Sequence, residues 1–197
     1  MLEAFRVRVM GVLLAAGGGS RFRGAPDGAI HKLLTEVDGR PLWRHSLDHL
    51  LAAGFDDLVV VTGAVPLEHD EVPTIHNAEW SSGQASSLRV AVEAATRAGV
   101  DAIVVGLADQ PFIDPSAWRA VADAPADCAL VIATYDGRRG PNPVRIGRSL
   151  WSRLPTSGDE GARGLLRELQ DQVCAVACVG SAVDIDTLED LERWTSS

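Results

Sequence analysis

Positive charge is scarce in this chain: 18 Lys and Arg stand against 27 Asp and Glu, for a formal net charge of -9. Nucleic acids and anionic membranes are held by basic surfaces that neutralise phosphates, so neither is expected as a partner. Long apolar runs are missing as well. None approaches the length of a bilayer span, and "MLEAFRVRVM" lacks the basic, then apolar, then small order of a secretory signal, so a cytoplasmic location is expected. Cysteines number three, Cys128, Cys174 and Cys178, each in an Ala/Val-rich stretch. The odd count and apolar neighbours speak against a disulfide framework and predict structural thiols. No His or Cys cluster completes a tetrahedral metal set around Cys174 and Cys178. The common nucleotide fingerprints are absent too. The glycines do not fall as G-x-G-x-x-G opening a helix, no acidic residue ends a second strand, and no Gly-Lys-Ser/Thr follows.

The sequence does hold enough apolar content for a full core, with 46% of 197 residues hydrophobic, the scale of a single domain over residues 1–197. Strand-like stretches recur at Val7 to Ala15, Asp57 to Thr62, Ala102 to Leu107, Ala129 to Thr134 and Val173 to Val179, with helical patterns between them. That alternation predicts an α/β fold, a mostly parallel sheet covered by helices on both faces. Pro41 is expected to open a helix that Gly54 closes, and Asp114-Pro115 to cap and start another. Asp159 is expected to cap a helix through Leu169, and Thr187 the last one. Phe22 to His31 and Gly63 to Ser82 are irregular and long enough to be functional loops.

In such sheets ligands gather beyond the carboxyl ends of the strands. Four polar motifs are expected at that edge: the glycine loop after the first strand, "LADQP" after the third, "GRRGPNP" after the fourth and "DIDT" after the last. Gly17, Gly18 and Gly19 let backbone NH groups turn into one concavity, while Ser20 and Arg21 add hydroxyl and guanidinium donors. Together they form a cradle for a triphosphate. Lys32, in "HKLL", is placed to fold back over it. Asp109 emerges at a strand end, where Mg²⁺ would take carboxylate oxygen beside substrate phosphates. Asp184 and Asp186 share a face in an alternating strand and offer a second metal ligand, with helix capping by Asp186 or Thr187 as the competing role. In "TSGDEGARGLL", Arg163 stands one turn into a helix start suited to an anion, with plain capping by Asp159 as the alternative. Asn77, Trp80, Gly83, Ser86 and Ser87 make a further polar loop entering a helix, where Trp80 covers a ring or packs the core. His45 and His49, one turn apart, lack the Glu of a zinc helix and are expected to pack or face solvent.

Taken together, "LAAGGGSRF", "KLL" with "GRPLW", "NAEWSSGQASSL", "GLADQPF", "RRGPNPV", "GDEGAR" and "DIDTLEDL" resemble the MobA-like nucleotidyltransferases, and among them the molybdenum cofactor cytidylyltransferases. The resemblance implies a three-layer α/β/α Rossmann-like fold that transfers CMP from CTP to the terminal phosphate of molybdopterin, with Mg²⁺, releasing pyrophosphate. By the same resemblance, Leu14, Ala15, Ala16, Gly17, Gly18, Gly19, Ser20, Arg21 and Lys32 would bind the nucleotide. Arg21, Lys32 and Asp109 would serve catalysis. Asp109, Asp186 and Asp184 would hold the metal. Asn77, Gly83, Ser87, Gly158 and Arg163 would shape the base and pterin sides. Guanylyl-transferring relatives resemble "LAGG" and "GDMP" at two of these places, so Ala16 and "LADQP" favour cytidine. Asn142 stands where such proteins often have His, and Leu188 where proline is common. Nucleotide and molybdopterin are the implied small-molecule partners, with transient contact with molybdoenzyme maturation proteins. The competing functions are transfer to another phosphorylated acceptor, with CTP or GTP, and a non-catalytic carrier or chaperone for the cofactor.

Overall fold

The computed structural model describes residues 7–19, 31–185 and 190. Its first strand, β1 (Val9–Ala15), is buried along nearly its whole length. Met10, Val12 and Leu14 enter one core, and Leu13 and Ala15 the other. A strand covered on both faces needs a continuous apolar run rather than alternation, and "VMGVLLA" supplies one.

After β1 a short hairpin of β2 (Glu36–Val37) and β3 (Arg40–Pro41) leads into α1 (Leu42–Ala52). β4 (Asp57–Thr62) and β5 (Thr74–His76) follow, and then α2 (Gln84–Ala98), β6 (Ala102–Leu107) and α3 (Pro115–Ala122). Next come β7 (Leu130–Tyr135), β8 (Arg138–Gly147), α4 (Arg163–Glu168) and β9 (Cys174–Ala177). Seven strands make one sheet in the order β5-β4-β1-β6-β8-β7-β9. Pairing is parallel except along β8, which runs antiparallel to both β6 and β7. Helices α1 and α3 pack on one face, α2 and α4 on the other. The three-layer α/β architecture is therefore as expected.

Several local signals hold. Asp114 caps α3, its Oδ1 accepting from Ser116 N at 2.8 Å ahead of Pro115. These Ser116 hydrogen bonds hold the Asp114 carboxyl below its usual range. The strand limits at β4 and β6 match the expected ones. Other expectations are corrected. "GRRGPNP" is not a loop beyond the fourth strand but the first part of β8, joined to β7 by a two-residue turn at Asp136 and Gly137, whose φ values are +50° and +75°. Both central residues at positive φ suit the twist of a tight hairpin, and Asp-Gly was the available signal for it. The prolines Pro141 and Pro143 hid the strand, because proline weakens a ladder and is seldom central. Asp159 caps no helix: α4 starts only at Arg163, with Ala162 before it and no side-chain cap. The expected cap at Thr187 lies outside the described residues.

The cysteines also depart from expectation. Cys128 and Cys174, 46 residues apart in sequence, form a disulfide, and Cys178 stays free. Pairing of β9 with β7 sets Cys174 opposite Val131, close to the loop that carries Cys128. That loop is gripped by the buried Arg145, whose guanidinium donates to the carbonyls of Ala122, Ala124, Pro125 and Cys128 at 2.6 to 3.0 Å. An odd count leaves one thiol over without forbidding a bond between the other two.

The edge strand β9 then feeds a returning segment. Cys178 N donates to Thr134 O at 2.8 Å, Gly180 bridges Ile113, and Ser181 N donates to Phe112 O at 3.1 Å. Finally Ile185, fully buried against Val37 and Leu42, donates its N–H to Asp109 O at 3.1 Å. Among the described residues no helix is long and apolar enough to cross a membrane.

Closing a loop of this length with a disulfide is worth about 2–4 kcal/mol. Oxidised wild type is expected to exceed Cys174→Ser in stability by about that amount, measured by urea unfolding, with reductant lowering the wild type alone.

Candidate active site

From β1 the chain moves outward to β4 and β5 and returns through α2 to β6 on the opposite side of β1, so the carboxyl ends of β1 and β6 open onto a crevice. A cavity of roughly 570 Å³ lies there. Its floor is Leu14, Ala15 and Leu107 at the strand ends, and one wall is Ala16 with Gly17, Gly18 and Gly19. The amides of those three glycines donate to no described residue. At Gly18 the loop passes under Trp80, where a Cβ would meet the ring at 2.9 Å. Trp80 thus covers the glycine loop and faces the cavity at once.

Opposite the glycines stand the charged groups. Lys32 is buried, and its Nζ donates to Asp109 Oδ2 at 2.9 Å, with the side chains 8% and 27% exposed. The other carboxylate oxygen, Asp109 Oδ1, is buried and has no hydrogen-bond partner among the described residues. A carboxylate at a cavity with one oxygen held by ammonium and the other unpartnered has a lone pair to offer a hard cation. His31, which the sequence reading passed over, clasps the two walls: its Nε2 donates to Gly17 O at 2.9 Å, and its Nδ1 accepts from Leu33 N at 3.2 Å. Those roles require the neutral ring. Burial pushes its pKa down, with the neighbouring Lys32 charge adding to the effect against the opposing pull of the Gly17 hydrogen bond.

The third wall joins two distant segments. Ala85 N donates to Gly158 O and Gly158 N to Ser82 O, both at 3.0 Å, so "GDEGAR" lies against the start of α2. Gly83 makes this approach possible: its φ is +108°, and a Cβ there would lie 2.5 Å from the Gly158 carbonyl. Gly83, Gln84, Asp159 and Arg163 face the cavity from this side, and the Arg163 guanidinium forms no ion pair with a described residue.

The structure therefore gathers Leu14, Ala15, Ala16, Gly17, Gly18, Gly19, Lys32, Gly83, Asp109 and Arg163 around one cavity. Asn77 and Ser87 lie behind the wall rather than on it. Asn77 Nδ2 donates to Ser86 Oγ at 2.8 Å and to Ser87 Oγ at 3.0 Å, while its Oδ1 accepts from Glu79 N at 3.0 Å. Gly158 supports Gly83 through its backbone. Ser20, Arg21 and Asp186 lie outside the described residues. Asp184 is brought near Asp109 by the returning segment, with its Oδ1 accepting from Gln110 Nε2 at 2.6 Å. Among the described residues no group of three His, Cys, Asp or Glu is placed to hold a metal ion. His45 Nε2 donates to Val37 O, 2.8 Å away, in a packing role.

Glycine amides, a buried lysine and an unpartnered carboxylate oxygen meet at the switch point of a mostly parallel sheet, where anionic ligands gather in folds of this class. Residues 11–173 match the MobA-like NTP transferase domain, and the chain belongs to that family of nucleotidyltransferases. The purine catabolism protein PucB of Bacillus subtilis is 29% identical over 201 residues, covering 94% of each chain. A stretch of 57 residues, 29% of this chain, is 47% identical to CMP-5'-(3-aminopropyl)phosphonate synthase of Streptomyces rubellomurinus. The chain spans only 9% of that protein's length, and 31% and 30% of two other curated relatives. Rv0371c of Mycobacterium tuberculosis, solved in complex with manganese, superposes with a TM-score of 0.73 at 26% identity, covering 96% of this chain and 99% of its own.

The His31 clasp has a pH signature. Unfolded His31 titrates near its ordinary 6.5, and the folded form lower, so below 6.5 the unfolded chain binds more protons. Stability contributed by this group is complete above that pH and is lost as pH falls from there toward the folded pKa. Urea unfolding against pH is expected to show a steeper acid-side decline for wild type than for His31→Asn.

Proposed function

We propose that this chain, as one domain, is a cytidylyltransferase that transfers CMP from CTP to the terminal phosphate of molybdopterin, with pyrophosphate as the other product. The observation that carries the nucleotidyl-transfer chemistry is Asp109, paired with Lys32 at the cavity that the glycine amides also line, with its buried Oδ1 left without a hydrogen-bond partner among the described residues. Preference for cytidine is supported by Ala16 and by the CMP-named relative. The molybdopterin acceptor rests on the motif resemblance.

A phosphate monoester has a second pKa of about 6, so the attacking group is mostly dianionic at neutral pH and requires no catalytic base. Its problem is repulsion from another anion, and the site answers with alignment and charge. The glycine amides, with Ser20 and Arg21, receive the triphosphate. Lys32 holds positive charge where pyrophosphate departs, and its pairing with Asp109 Oδ2 keeps both side chains oriented. Arg163 and the opening turn of α2 bring further positive charge to the opposite wall. The donor set fits a hard divalent ion: Asp109 offers carboxylate oxygen, and Asp186 follows Ile185, whose amide meets the Asp109 carbonyl. Mg²⁺ bound there would neutralise charge between nucleophile and α-phosphate.

One observation favours a second reading, guanylyl or cytidylyl transfer to a different phosphorylated acceptor. Gln110 of "LADQP" is 1% exposed and is engaged at both ends of its amide, so it reads no base directly.

Thermal melts with CTP, GTP, ATP or NAD, with and without Mg²⁺, should show Mg²⁺-dependent stabilisation selective for CTP, since a ligand that binds the native state raises its melting temperature. Selective stabilisation by GTP favours the second reading, and indifference to every nucleotide overturns both. Asp109→Ala is expected to abolish pyrophosphate release in the presence of molybdopterin while keeping the wild-type circular dichroism spectrum. Near-normal turnover in that variant would sink the role given to Asp109.

A further inference from the structure

We propose that Gln110 is a positioning residue that sets the returning acidic segment, residues 182–185, against Asp109, and that it acts on metal binding rather than on base choice. The role rests on the metal-dependent reading above and gives a function to a side chain that the cavity itself does not touch.

Gln110 directly follows Asp109, yet its carboxamide points into the protein, where it is 1% exposed. Three of its four hydrogen-bonding directions are used. Nε2 donates to Ala182 O at 3.0 Å and to Asp184 Oδ1 at 2.6 Å, and Oε1 accepts from Asn142 Nδ2 at 2.8 Å. The amide orientation follows from chemistry: a carbonyl and a carboxylate on one side both demand the NH₂ end, which leaves the oxygen for the Asn142 donor. Asn142 is itself held, since Tyr135 Oη donates to its carbonyl at 3.0 Å, and burial pushes the Tyr135 pKa up, so the phenol remains a donor. A single line of hydrogen bonds therefore runs from β7 through β8 and Gln110 to the acidic segment.

Beside the burial of Ala182 and Ile185, Gln110 gives this segment two side-chain hydrogen bonds, one of them to its carboxylate. Among the described residues the backbone from Cys178 to Ile185 is tied by one bridge at Gly180 and by single hydrogen bonds to Thr134, Phe112 and Asp109. A neutral amide donating to a carboxylate holds it without cancelling its charge, unlike a lysine or arginine in that place. Buried amide hydrogen bonds to charged groups are among the stronger ones, and outer partners of metal-binding carboxylates tune affinity as well as orientation. Methionine at 110 would keep the length of the side chain but neither accept from Asn142 nor donate to Asp184. Glutamate would keep the acceptor and set a second carboxylate against Asp184. The two replacements are close in volume to glutamine and open no cavity.

The test has two arms. In hydrogen exchange, Gln110→Met and Gln110→Glu are each expected to speed exchange of the Ser181 and Ile185 amides by about tenfold or more, with the β1 and β6 amides unchanged. In Mg²⁺ titrations of CTP-dependent thermal stabilisation, both variants are expected to need about tenfold or more Mg²⁺, with the CTP requirement at saturating Mg²⁺ within about twofold of wild type. Unchanged protection of Ser181 and Ile185, or exchange that rises equally throughout the sheet, overturns the positioning role. A shift in CTP requirement or in preference between CTP and GTP, with Mg²⁺ dependence unchanged, assigns Gln110 to base choice instead and also overturns it. If wild type shows no nucleotide effect at all, the metal-dependent reading fails, and the exchange arm alone still decides whether Gln110 holds the segment.

Discussion

The ion pair between Lys32 and Asp109 is the constraint around which the site is arranged. Burying an ammonium is costly unless a partner compensates, so the segment that carries Lys32 cannot settle anywhere but against the end of β6. Asp109 makes the junction threefold. One carboxylate oxygen takes Lys32, the backbone carbonyl takes Ile185, and the second carboxylate oxygen is buried with no hydrogen-bond partner among the described residues. The glycine loop is drawn in by the same contact, since Gly19 packs against the Lys32 stem and His31 donates to Gly17. A single paired charge thereby ties together the loop after β1, the end of β6 and the segment after β9.

Around that junction the sheet supplies rigidity and the loops supply chemistry. The crevice exists because the chain leaves β1 in one direction and comes back to β6 on its other side. Antiparallel β8, inserted between β6 and β7, has a second consequence: it carries Asn142 to the buried amide of Gln110 and Arg145 to the loop that holds Cys128. Polar residues in this layer therefore hold elements in register, while on the cavity the glycine amides and the Arg163 guanidinium have no partner among the described residues. The same division explains Asn77 and Ser87. Their hydrogen bonds close on one another and fix the turn that presents Trp80, Gly83 and Gln84.

Much of this was legible in sequence, element by element. The apolar runs of β1, β4 and β6, the Asp114-Pro115 start of α3 and the glycine cradle are local patterns, and local sterics and hydrophobic periodicity suffice to produce them. Asp109 was legible for a related reason: a charged residue directly after a buried strand must emerge at its end. Lys32 was legible only as a residue able to fold back. The structure adds what it folds back onto. His31 and Gln110 were missed because each acts through a partner far along the chain, 14 residues away at Gly17 and 74 away at Asp184.

The chain's own order of residues determined its class of fold, the place where ligands gather and the family to which it belongs, because those depend on strand periodicity, turn chemistry and motifs that each span a few neighbouring residues. Tertiary structure alone decided that Cys128 and Cys174 meet, that Arg145 grips the loop carrying Cys128, and that Gln110 turns inward to Asp184. Each of those outcomes is a contact between distant segments, set by which strands pair and which charges must be buried together, and no local pattern encodes the pairing.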